Sequence, residues 1–221
     1  MGAIHYSHDV RSSLERAEAN SYMSCPAALL QIMLSASLLS ESDPEESSGK
    51  EQLTTDRKTQ HARNLMQQAE SFDINAWAAS VQGISLHNDL ESRVHVGLAH
   101  KSAVCLYIHR AVPFANLLDE DSVETHVHKI THNLSFILPG DRLLKGTSWP
   151  TFIAGAESKD PEQQAWVVER LYILWEALPW GYVHTAIEML QTIWRMKDPN
   201  GPSATSWLQK FKALGNDWIV V

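Results

Sequence analysis

Eleven histidines in 221 residues invite a search for metal or acid–base chemistry. The densest group is His126-Val127-His128-Lys129-Ile130-Thr131-His132. On a helix, His128 and His132 are four apart and share one face, where they could chelate a metal ion, while His126 points elsewhere. A zinc-protease signature has glutamate after its first histidine, but here Lys129 follows His128. The simpler reading of the pair is a solvated face opposite Val127, Ile130 and Leu134. No metal and no cofactor are assigned, and His128 and His132 stand as weak candidate ligands. His95, His100 and His109 lie on one long helical stretch. His95 and His109 share a face but sit about 21 Å apart, so they cannot act together. Asp89 or Glu91 could assist a catalytic histidine there, but no nucleophile is placed by spacing.

A second group is aromatic. His184 follows Trp180-Gly181-Tyr182-Val183, and Trp175 and Tyr172 precede it at helical spacing. His184, Trp180, Trp175 and Tyr172, with His100, are the candidate lining of a ligand pocket between helices. The alternative is that these rings fill a core or a subunit interface. Cys105 sits among apolar neighbours and reads as buried and inert. Cys25 stands at a helix N-terminus, which in principle lowers a thiol pKa, though packing is the simpler role. The acidic cluster Asp119-Glu120-Asp121 with Glu124 is explained by a favourable helix dipole. Phosphate loop, dinucleotide fingerprint and nucleophile elbow are all absent from the sequence.

Composition narrows the class. With 44% hydrophobic and 20% charged residues, the chain can bury a sizeable core as one domain. A net charge of −8 disfavours autonomous DNA binding, which usually needs a basic patch. Two cysteines are too few for a secreted disulfide framework, so a reducing compartment, nuclear or cytoplasmic, is expected. The N-terminus has no apolar signal-peptide core, and the apolar runs are too short to span a bilayer.

Nearly the whole chain shows helical periodicity. Residues 1–22 read as a loosely ordered lead-in and 41–56 as a flexible acidic loop. Ser24 and Pro26 open a helix with Leu29, Ile32, Met33, Ala36 and Leu39 on one face. The next is expected at about Thr59–Glu70, using Ala62, Leu65, Met66 and Ala69. Asp73 caps a short helix carrying Trp77. A long helix follows over roughly 90–112, and another over about 121–138, started by Asp121 or Ser122 and ended by Pro139-Gly140. Trp149-Pro150 starts a short helix. Asp160-Pro161-Glu162-Gln163 supplies a cap, a first-turn proline and a capping-box glutamine for the next. Two further helices are expected near 182–196 and 204–214, with Gly215 as a C-cap.

Several of these segments, in the same order, resemble the fungal-specific transcription factor domain, the regulatory region of zinc binuclear cluster regulators. They are residues 25–32 (Cys25-Pro26 helix start), 71–78 (Trp77 turn), 103–108, 149–157, the Trp166 helix, Thr192-Ile193-Trp194, and Trp207 with Asp217-Trp218. The resemblance implies an all-α regulatory region over residues 23–221, usually nuclear. The zinc cluster of that family uses six closely spaced cysteines, and only Cys25 and Cys105 occur here. DNA binding therefore does not carry over, and the family supplies no catalytic residues.

The expectation is an irregular bundle of about seven to nine helices around one core. Its function would be that of a transcription regulator-like protein, or a truncated regulatory domain without its own DNA-binding module. It would act through a protein partner, a homo-oligomer or a small-molecule effector, with no membrane. The alternative is an enzyme, a cyclase, isomerase or hydrolase of a fungal secondary-metabolite pathway, built on the same scaffold.

Overall fold

The structure is a computed structural model. It describes residues 18, 24–41, 51–85, 87–196 and 207–213. Among them are nine α-helices and no strand: α1 (Ala27–Glu41), α2 (Glu51–Ser71), α3 (Ile74–Gln82), α4 (Leu90–Ala111), α5 (Glu120–Ser135), α6 (Ser148–Glu157), α7 (Pro161–Ala177), α8 (Gly181–Met196) and α9 (Trp207–Ala213). Single 3-10 turns, Pro113–Ala115 and Leu144–Thr147, precede α5 and α6. The all-α expectation holds.

α4 is the organising element. It is apolar on opposite faces, the pattern of a helix packed all round. Val96, Ala99, Ala103 and Leu106 enter a cluster with α5 to α9. Val104, Cys105, Ile108 and Ala111 enter a second cluster with α1 to α3. Tyr107, Leu118 and Trp149 pack against both clusters and join them into one helical body. Trp149 does so by packing beside His100 (ring centroids 6.1 Å apart) and Tyr107 (6.3 Å).

The faces expected for the first two helices are the buried ones. Leu29, Ile32 and Ala36 of α1 and Ala62, Leu65, Met66 and Ala69 of α2 are core. α2 begins at Glu51, so residues 51–56 of the segment read as loop are helical; residues 42–50 of that segment lie outside the described residues. Ser24 is buried in a left-handed conformation, φ 39°, and the Ala27 amide at the start of α1 donates to the Glu18 carboxylate. The Glu18 carbonyl accepts from Arg93 Nη1 at 3.1 Å, which ties this part of the lead-in to α4. Asp73 caps α3 as expected, accepting from the Ala76 amide at 3.0 Å.

α6 is the most deeply set helix. All its residues except Trp149 are buried, with Phe152 and Ile153 among the largest fully buried side chains. Each such side chain contributes about 1.5–3 kcal/mol by leaving water. A Cβ on Gly155 would come within 2.7 Å of Val167 Cγ1 and 3.0 Å of Leu190 Cδ1, so glycine sets how closely α6 approaches α7 and α8. Asp160 caps α7 through the Glu162 amide at 3.0 Å. Gln163 does not close a capping box; its Oε1 accepts from Ser158 Oγ at 3.0 Å.

Candidate functional site

α4 stops at Ala111 because Pro113 lacks an amide hydrogen and its ring blocks a further turn. The chain then turns through Pro113–Ala115 into Asn116, which takes a left-handed conformation (φ 44°). It leads to Asp119, the cap of α5, which accepts from the Ser122 amide at 2.8 Å. The cap is thus Asp119, not Asp121 or Ser122. α5 also ends earlier than expected, at Ser135. Ile137 lies buried past that end, its carbonyl accepting from buried Arg170 Nη1 at 2.6 Å. Opposite the start of α5, α6 ends at Glu157, and Ser158, Lys159 and Asp160 turn into α7. These two turns enclose a cleft of about 780 Å³.

At its base Arg110 and Glu157 form a bidentate ion pair: Nε to Oε1 at 2.8 Å, Nε to Oε2 at 2.9 Å and Nη2 to Oε2 at 2.6 Å. The Glu157 side chain is 1% exposed and stands at a helix C-terminus, where the dipole opposes a carboxylate. Arg110 and the Trp207 indole, whose Nε1 donates to Oε1 at 2.8 Å, offset that cost. Burial alone would lower the Arg110 pKa, but hydrogen bonding to Glu157 and its charge outweigh it and hold the guanidinium above its ordinary value. His109 beside them is buried. Its Nδ1 accepts from the Leu118 amide at 3.3 Å, so its proton sits on Nε2. Burial first, then the Arg110 charge, push its pKa down, with Glu157 opposing them.

The rim is acidic. Hydrogen bonds from Ser122 hold the Asp119 carboxyl below its ordinary pKa. The Lys159 ammonium, 2.9 Å from Glu120 Oε1, does the same for Glu120 and links α5 to the α6–α7 turn. Asp121 and Glu124 complete the wall. The acidic cluster visible in the sequence therefore does face a cavity. Arg110 and Glu157, 47 positions apart, gave no spacing signal. The one available clue was a lone carboxylate ending an otherwise buried, apolar helix.

The residues singled out for a pocket are brought together only in part. His184 meets Trp175 edge-on, ring centroids 4.1 Å apart, and Trp180 lies beside Tyr182 at 5.8 Å. His184 and Trp180 are exposed. Tyr172, also exposed, lies with Trp194 in a shallow depression on α7. His100 is buried near Trp149, its Nδ1 2.9 Å from the Val96 carbonyl. His128 and His132 stack on the exposed face of α5, centroids 6.1 Å apart. Among the described residues no group of three or more His, Cys, Asp or Glu is arranged to hold a metal. Cys25 does not have a lowered pKa: burial, then Glu18, push it well above the ordinary thiol range. Burial likewise pushes Cys105 up, to about 12. Among the described residues no helix is long and apolar enough to cross a membrane.

Comparison with known proteins bears on this geometry. The family model described as fungal specific transcription factor domain matches residues 4–221. The chain is 41% identical over 220 residues to the acriflavine sensitivity control protein acr-2 of Neurospora crassa. That match covers 94% of this chain and 36% of the relative, so the chain spans about a third of the relative's length. No solved structure matches.

Proposed function

The chain belongs to the fungal-specific transcription factor domain family, and on that premise we propose that it is the regulatory region of a transcription regulator. It works in the nucleus, receives a signal through a protein partner or a small-molecule effector, and leaves DNA reading to another module. The observation that carries this reading is the family match over residues 4–221. The relative's name, acriflavine sensitivity control protein, is in keeping with a regulator that answers a chemical challenge. The net charge of −8 supports a division of labour, because a duplex phosphate backbone repels such a surface. The cleft between the ends of α4 and α6 and the starts of α5 and α7 is the place such an effector would occupy.

The test is a fusion of the chain to a heterologous DNA-binding module, with a reporter under that module's site in a fungal host. Reporter output is expected to differ from that of the module alone, while the unfused chain leaves a DNA duplex unshifted at physiological salt. A fusion indistinguishable from the bare module overturns the reading.

A further inference from the structure

Trp77 of α3 carries a polar atom that the fold leaves unanswered. The residue is 7% exposed, within the cluster built with α1 to α3. Its indole Nε1 is shielded from water and has no hydrogen-bond partner among the described residues. A buried donor without an acceptor costs about 1–3 kcal/mol, and such donors are ordinarily satisfied. Two other indoles show how: Trp194 Nε1 donates to the Gly155 carbonyl at 2.9 Å and Trp207 Nε1 to Glu157 at 2.8 Å. The packing on α4 sets which way the Trp77 ring faces. A Cβ on Gly97 would come within 3.0 Å of Trp77 Cζ3, so the six-membered edge of the indole lies on the α4 backbone. Nε1 stands across the bicycle from Cζ3 and faces away from α4. Away from α4, Trp77 lines a groove of about 500 Å³ between α1 and α3, within the range that small ligands fill.

The rest of the groove narrows what could answer this donor. Ala27 and Ala28 of α1 and Ala76 of α3 leave room where longer side chains would fill it, and Phe72 adds an aromatic wall. Gln31 is half-buried in the groove. Its backbone carbonyl accepts from Ser35 Oγ at 2.9 Å, while its side-chain amide makes no hydrogen bond among the described residues. The two carboxylates of the groove are engaged by helix amides, Glu18 by Ala27 and Asp73 by Ala76 at 3.0 Å. They repel an anion. A ligand that offers only donors leaves the Nε1–H as it is. A neutral acceptor satisfies both conditions.

We infer that the groove between α1 and α3 binds a small neutral molecule carrying an amide. Its carbonyl oxygen takes the Nε1–H of Trp77, its N–H is received by the Gln31 side chain, and its apolar body lies against Ala28, Phe72 and Ala76. The site is separate from the cleft at the start of α5. It goes beyond the regulatory reading, and the reporter test of that reading does not bear on it.

The full chain, with its eight tryptophans labelled with 15N, is titrated with three probes that share a phenyl ring: neutral benzamide, anionic benzoate and cationic benzylamine. The indole N–H signal of Trp77 is identified by its loss in Trp77→Phe and, independently, by through-space contacts to Ile74. Benzamide is expected to shift that signal saturably, with a Kd of about 1 mM, as suits so small a ligand. Benzoate should bind at least about tenfold more weakly, and benzylamine should leave the signal in place. Ala76→Leu, at an exposed position on the groove wall, should abolish the benzamide shift with the urea midpoint unchanged. Ala165→Leu, the same change in the shallow depression on α7, should keep the shift. A Trp77 signal that benzamide does not move, benzoate binding as tight as that of benzamide, or a shift undiminished in Ala76→Leu would each overturn the inference.

Discussion

His100 is surrounded by core on α4, and its Nδ1–H donates to the Val96 carbonyl. Burial lowers its pKa from 6.5 to about 4, against the opposing effect of that backbone hydrogen bond. The unfolded imidazole thus takes up a proton before the folded one does. Its contribution to stability is complete above pH 6.5 and drains away as pH falls from 6.5 toward 4. Between about pH 7 and pH 5 the loss is on the order of 2 kcal/mol. His100→Asn keeps a donor near Val96 and removes the titration. Its urea midpoint should fall less between those pH values than the parent's, and an unchanged pH dependence would contradict the assignment. His126, lowered to about 4 by burial and Lys129, contributes in the same direction and remains in the variant. The roles of the histidines were not legible in the sequence because residue type does not report surroundings. His100 and His109 lie nine apart on one helix, yet one packs near Trp149 in the core and the other lines a cleft.

Among the elements, the sharpest test falls on α6. Gly155→Ala would favour the helix by about 1 kcal/mol through propensity alone. Its new methyl, however, would meet Val167 and Leu190, and overpacking of this kind costs about 1–3 kcal/mol. The expected net result is a lower thermal midpoint. Gly181→Ala, at the start of α8 with nothing within 4 Å of the new Cβ, should be neutral or stabilising. A Gly155→Ala chain as stable as the parent would show that α6 can shift away from α7 and α8. Helix positions are legible in apolar periodicity, since Leu65, Met66 and Ala69 or Val127, Ile130 and Leu134 mark one face wherever they pack. Helix ends are less legible. Glu18 supplies the cap for α1 from nine residues upstream, and α5 ends where Arg170 takes the Ile137 carbonyl. Both are tertiary contacts that no local pattern encodes. The cleft was half legible for the same reason: its acidic wall is contiguous in sequence, while its base joins Arg110, Glu157 and Trp207 from three separate elements.

For the whole molecule, the two apolar clusters are not two domains, because both close over α4 and share Tyr107, Leu118 and Trp149. Each cluster has its own reporter. Seven of the eight tryptophans lie at or beyond position 149, whereas Cys25 and Cys105 are buried in the cluster built with α1 to α3. Tryptophan fluorescence and thiol accessibility to an aromatic disulfide reagent should therefore trace one coincident urea transition, as a cooperative unit requires. Two separated midpoints would show that the clusters come apart independently. The central place of α4 also has a consequence during synthesis. α1, α2 and α3 leave the ribosome before the helix that covers them, and α4 in turn emerges with one face satisfied and the other awaiting α5 and α6. The nascent chain thus presents apolar helix faces to the cell until translation is well past the middle of the chain, the interval in which a growing polypeptide is most open to aggregation and to capture by chaperones.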